Sequence, residues 1–202
     1  FADIAVRVRR DADAILGVAP IKRELIGRRL LAESRRALHR LLTLSLTFHF
    51  THESKYADRA AREMNAIAAF SDWNPSHFLD VAEMTLAMAI GYDWLHEQLD
   101  EPTRASARAV ILAKGVRVPL DTGHNRWTGA TNNWGQVCHA GMVAGALAVL
   151  EDDRAAGALT IHRALANVPR SMAAFAPKGS YPEGPGYWSY GTTFNVLLIA
   201  ML

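Results

Sequence analysis

The sequence predicts an all-α protein, an array of antiparallel helix hairpins, and three observations carry that expectation. Apolar residues recur at helical spacing in almost every segment. No segment alternates in the manner of a half-buried strand. Turn signals divide the chain into stretches of about 15–22 residues, short enough to fold back on one another.

The first helix is "FADIAVRVRRDADAILG", stopped by Gly17 and Pro20. A second runs from about Arg28 to Phe50, with Leu31, Leu38, Leu41, Leu42 and Leu46 toward a core. "ESKYADRAAREMNAIAAF" is the third, with Tyr56, Ala60, Met64 and Ile67 on one face. After the turn "SDWNPSH" comes "FLDVAEMTLAMAIGYDWLHEQL", apolar on most faces and therefore expected to be buried on several sides. Pro102, following Asp100 and Glu101, opens the next helix, which ends near "GVRVPLDTG". A mostly apolar helix spans about Asn132 to Leu150, "EDDR" turns the chain, and another helix covers about Arg154 to Phe175. "APKGSYPEGPGYWSYG" reads as a loop, and a last helix begins near Thr192. Because some helices are apolar nearly all round and others amphipathic, two layers are expected, an inner one wrapped by an outer one.

Half of the 202 residues are hydrophobic, enough for one sizeable core. The 22 basic and 20 acidic residues are spread along the chain and leave a formal charge of +2, which provides no footprint for nucleic acid or a membrane surface. A single cysteine, Cys138, excludes an internal disulfide framework and a cysteine-only metal site. No run of about 18 apolar residues suggests a membrane span. No signal peptide is visible, the chain starts with Phe1, and it ends in "FNVLLIAML", so it reads as a fragment of a longer chain.

Two stretches carry candidate chemistry. In "TNNWGQVCHAGM" the side chains of Asn132, Gln136 and His139 fall on one helix face, a polar stripe on an otherwise apolar helix. The plain alternative is that Asn132 caps the helix, Asn133 sits in its first turn, and Gln136 and His139 are satisfied core residues. From Lys178 to Gly191 the chain gathers Gly179, Gly184, Gly186, Tyr181, Tyr187, Tyr190, Trp188 and Glu183. Glycine and proline fix an irregular backbone there, and the aromatic faces suit stacking against sugar rings. The plain alternative is a connection whose aromatics fill a surface hollow. His49, His52, His124, His139 and His162 show no metal-ligand spacing, and neither a metal nor a cofactor is called for. Glu183 with Asp72, Asp80 or Glu83 remains a possible carboxylate pair for glycoside hydrolysis.

"HFLDVAEMTLAMAIGYDWL", "TNNWGQVCHAGMVAGALAVLED" and "SYPEGPGYWSYGTTFNVLL" together resemble the helical domain of heparinase II/III-like polysaccharide lyases, over roughly residues 75–202. The resemblance implies an incomplete (α/α) toroid, here without the β-sandwich domains that usually follow it. It also implies a periplasmic or secreted enzyme that cleaves uronate-containing polysaccharide by β-elimination. In such lyases an Asn, Gln or His neutralises the uronate carboxylate, and a tyrosine, sometimes with a histidine, removes the C5 proton and protonates the leaving oxygen. Carried over, the resemblance makes Asn133 the carboxylate partner with Asn132 beside it, Tyr190 the acid and base with Tyr187 as second choice, and His139 the imidazole. His124 and Arg126 join His139 as groups that would tune the tyrosine. Trp134, Gln136, Glu183, Tyr187 and Trp188 would line the sugar site. Trp134 stands where some relatives carry histidine. A glycoside hydrolase on a similar toroid and a non-catalytic carbohydrate-binding module are the alternative readings.

Overall fold

Eight α-helices follow one another in the computed structural model, which describes residues 2–202: α1 (Ala2–Leu16), α2 (Leu31–Thr51), α3 (Ser54–Ala68), α4 (Phe78–Trp94), α5 (Glu101–Val110), α6 (Asn133–Ala148), α7 (Arg154–Met172) and α8 (Pro185–Met201). No β-strand occurs among the described residues. Phe1, the expected start of the first helix, lies outside them.

Local signals account for the starts of α5, α6 and α7. Asp100 caps α5 by accepting from the Thr103 amide, and Pro102 occupies its first turn. Asp153 caps α7 through the Ala156 amide, and Asn132 caps α6 through the Trp134 amide. Past Val110 the backbone loosens into a π-helical stretch, Ile111–Val116.

The last helix departs from the expectation. It begins at Pro185, not near Thr192, so half of the expected loop is helical. Gly184, at φ +91°, adopts a conformation open to glycine, and Pro185 follows as a favourable first helical residue. Tyr187, Trp188 and Tyr190 therefore stand on a helix.

α4 packs between α2 and α6, and α6 packs in turn against α8. These four run in the same direction. Arg35 meets Glu83 near the starts of α2 and α4, whereas Leu41 meets Gly91 farther along. The final turns of α4, α6 and α8 together line an apolar groove between Ile90, Trp94, Leu147 and Met201. The remaining helices cover this row: α1 and α3 lie on α2, α5 on α3 and α4, and α7 on α6. Close approach of α4 and α6 depends on Gly141, whose missing Cβ would collide with the Ala82 carbonyl. α4 and α6 are buried almost all round, as their unbroken apolar patterns demand. Met84, Met88, Leu41 and Leu44 are fully buried there, each contributing about 1.5–3 kcal/mol by leaving water.

An ionic knot fixes the segment before α2. Glu63 is fully buried and accepts from Arg40 at 2.5 Å, Arg59 at 2.7 Å and the Ile21 amide at 2.9 Å. Both arginines also hold backbone carbonyls of residues 15–19.

Candidate active site

The shared direction of α2, α4, α6 and α8 gathers their N-terminal turns at one end of the molecule, where the partial positive charge of helix starts favours acidic groups. Each helix contributes a polar side chain within its first two turns: Arg35, Glu83, Gln136 and Tyr190.

Glu83 is the centre of this arrangement. Only 2% of it is exposed, yet it receives the Tyr190 hydroxyl, and Arg35 Nε lies 3.2 Å from the same Oε1. The Arg35 guanidinium sits 4.9 Å above the Tyr190 ring, and 53% of its side chain is open to solvent. Arg35, Gly186, Tyr187, Ser189 and Tyr190 line an open surface cavity of about 460 Å³. The lining thus includes a tyrosine bonded to a carboxylate and an arginine with donors to spare. Burial raises the Glu83 pKa from its ordinary value, even against the Tyr190 and Arg35 bonds that pull it down. Burial and the adjacent Glu83 charge raise the Tyr190 pKa well above that of a free phenol. Tyr190 is therefore a neutral hydroxyl that donates to Glu83.

Asn133, the carboxylate partner implied by the resemblance, is put to a different use. Asn133 is 3% exposed, and its Nδ2 donates to both Glu183 oxygens at 2.9 and 3.0 Å while its backbone N–H adds a third bond at 2.9 Å. Tyr181 donates to Glu183 at 2.8 Å and stacks on Phe175. Burial alone would raise the Glu183 pKa, but the Asn133 and Tyr181 donors outweigh it and hold the carboxylate below its usual range. Asn133 thus ties the connection before α8 to the start of α6. Asn132 lies beside it as the helix cap and lines a second hollow of about 360 Å³ with Arg170, Tyr181 and Glu183.

Gln136 is fully buried between α7 and α8 and lines neither hollow. Its Nε2 donates to the Ser171 carbonyl, and its Oε1 faces Gly191, where any Cβ would collide with it. Gln136 Oε1 and Asn133 Oδ1 are buried without a protein partner, so the stripe is only partly satisfied at Gln136. His139 lies apart from the Tyr190 cavity. It is 1% exposed, its Nε2 bonds the Thr128 carbonyl at 3.1 Å, and its ring packs edge-on to Trp127 at 4.7 Å. Burial holds its pKa down at about 4. The imidazole assigned to catalysis by resemblance is therefore a neutral core group here, the plain alternative offered for it above.

Trp134 packs edge-on against His77 at 5.1 Å, and His77 Nδ1 lies 2.6 Å from Asp80. Asp80 is fully buried and also receives the Leu30 amide and the Asn74 side chain, each at 2.6 Å. Tyr187 and Trp188 are both about half exposed, and Trp188 donates to the Gly179 carbonyl. Among the described residues no three His, Cys, Asp or Glu side chains gather as a metal site.

The structure thus brings Tyr190 and Tyr187 to one cavity and Asn132 and Glu183 to its neighbour, while His139 joins neither. Arg35 went unnoticed in the sequence because it belongs to a basic run, "ESRRALHR", that looks like an ordinary solvated face. Asp80 and Glu83 were visible only as possible hydrolase acids. The signal that sets them apart is two carboxylates three residues apart in an otherwise apolar helix, which buries them together. No family model matches the sequence, and a search of curated proteins found no match.

Proposed function

We propose that the chain is the helical domain of a polysaccharide lyase acting on a uronate-containing polymer by β-elimination, with Tyr190 as acid and base. The observation that carries this reading is the cavity lined by Tyr190, whose hydroxyl is bonded to Glu83, and by the half-exposed Arg35. Elimination next to a carboxylate requires a donor that stabilises charge spreading onto that carboxylate and a group that moves a proton between C5 and the leaving oxygen. Arg35 suits the first task because its guanidinium keeps free donors in the cavity. Asn133, assigned that task by resemblance, has its amide engaged by an anionic Glu183, so in this reading it shapes the site through the connection before α8. Tyr187 and Trp188 supply exposed faces for sugar rings.

The same-direction row of four helices with a covering layer supports reading the fold as a segment of an (α/α) toroid. A periplasmic or secreted location follows from a polymeric substrate. No described helix is long and apolar enough to cross a membrane. The hydrolase alternative is less well served: Asp80 and Glu83 are sealed, and the more open Asp72 and Glu183 are already bonded to Arg23 and to Asn133 and Tyr181.

The test is a panel of uronate and neutral polymers offered to the intact natural protein that carries this chain. Products with an ultraviolet-absorbing C4–C5 double bond from uronate polymers alone are expected, and Arg35→Ala should suppress their formation. Hydrolytic products without the double bond, or cleavage of neutral polymers at equal rate, would overturn the reading.

A further inference from the structure

We infer that Glu83 is the proton-accepting partner of Tyr190, so that the acid and base of the site is a tyrosine–glutamate relay and not a free tyrosinate. The inference rests on the elimination reading above and adds the route of the proton. Tyr190 has its hydroxyl hydrogen committed to Glu83 Oε1, which leaves an oxygen lone pair as the part of the group able to take a hydrogen from the cavity. Ionising Tyr190 beside a buried anion is unfavourable, since two negative charges would then share one hydrogen-bond distance. Passing its proton to Glu83 as it takes another avoids that state.

The steps balance. As the substrate C5–H bond breaks, its hydrogen goes as a proton to Tyr190 Oη, and the original hydroxyl proton moves to Glu83 Oε1. The C5–H electron pair becomes the C4–C5 double bond, and the C4–O4 bond breaks with its pair leaving on O4. Tyr190 then gives a proton to O4 while Glu83 returns its proton to Tyr190. Both residues end as they began, and one proton has moved from C5 to O4.

The surroundings of Glu83 fit this role. Arg35 from α2 contacts the carboxylate and balances its charge, Asp80 lies one turn earlier on α4, Cys138 faces it from α6, and Tyr190 comes from α8. Asp80 disfavours the charged form and Arg35 favours it, with burial the larger influence, so the Glu83 pKa stands above the ordinary carboxylate value. A carboxylate of that kind is a better proton acceptor than an exposed one. Glu83 does not reach the cavity itself and acts through Tyr190, so it is a positioning residue.

The test compares the intact protein with its Glu83→Gln variant, which keeps the side-chain shape and an oxygen acceptor for Tyr190 but removes the basic site. The expected result is a fall in kcat of about 10²–10⁴-fold with little change in KM. The low-pH limb of the rate profile should vanish, because in the natural protein activity falls as Glu83 gains a proton. A variant that keeps both its kcat and the low-pH limb, in a protein that does eliminate, overturns the relay and leaves the elimination reading standing. Absence of elimination by the natural protein overturns both. A second measurement needs no variant. With substrate deuterated at C5, a relay gives a primary and a solvent isotope effect on the same step, because the exchangeable hydroxyl proton moves together with the C5 hydrogen. A primary effect with no solvent effect means a tyrosinate base and overturns the inference.

Discussion

Glu63 and Glu83 are both glutamates sealed inside the helical array, yet their partners differ in kind. Glu63 is held by two arginines and a backbone amide, all donors, and every bond it makes pins one piece of chain to another. Glu83 holds one arginine that opens half to solvent and one tyrosine that lines a cavity. The first arrangement satisfies a charge; the second leaves a charge poised beside a transferable proton. Burial of an acid is therefore a weak guide to function by itself, and what the acid is bonded to decides the matter.

That contrast predicts opposite outcomes for substitutions at the two sites. Glu63→Ala should cost about 3–5 kcal/mol of folding stability, because Arg59 and Arg40 would be left without their shared counter-charge. Urea denaturation measures this, and a loss below 1 kcal/mol, outside that range, would show that the knot is not a structural lock. The comparison would then have no contrast left to explain.

His139 tests whether the polar stripe of α6 belongs to the core. Burial holds its folded pKa near 4, below the ordinary 6.5, so the unfolded chain gains its proton first as pH falls. The contribution is intact above pH 6.5 and is lost progressively down to about pH 4, amounting to about 3 kcal/mol. His139→Asn should flatten that part of the stability–pH curve. An unchanged curve would mean that the imidazole is reached by water and is available for chemistry after all.

The smallest effect is expected at Asn133. Asn133→Ala removes the side-chain donors to Glu183 while leaving the backbone N–H in place, and because Glu183 is exposed the cost in stability should be about 1 kcal/mol. Hydrogen exchange around residues 176–184 should rise. If exchange there stays the same, the Asn133 side chain does not hold the connection before α8, and the Asn133 N–H, the Trp188–Gly179 bond and the Phe175–Tyr181 stack suffice.

Much of the fold was legible in the sequence because it depends on periodicity and caps. "FLDVAEMTLAMAIGYDW" can satisfy its apolar faces only by being surrounded, and Asp100, Asp153 and Asn132 cap the helices that follow them. The start of α8 was misjudged because glycines and aromatics in "PEGPGYWSYG" read as loop, although the Gly-Pro pair was an available start signal. The site was less legible for a reason of distance. Arg35, Glu83 and Tyr190 are far apart in sequence and meet only through the packing of α2, α4 and α8, which no local pattern encodes. Asn132, Gln136 and His139 stood out because polar residues on an apolar helix are conspicuous, but here one caps the helix and the others bond the Ser171 and Thr128 carbonyls.

The most direct test is the rate of double-bond formation, followed by ultraviolet absorbance, in the natural protein and in its Tyr190→Phe variant on the same uronate polymer. Removing the hydroxyl leaves the ring under Arg35 and should preserve folding, while elimination should fall by about 10²–10⁴-fold. A folded Tyr190→Phe protein that forms the double bond at the natural rate would contradict the account.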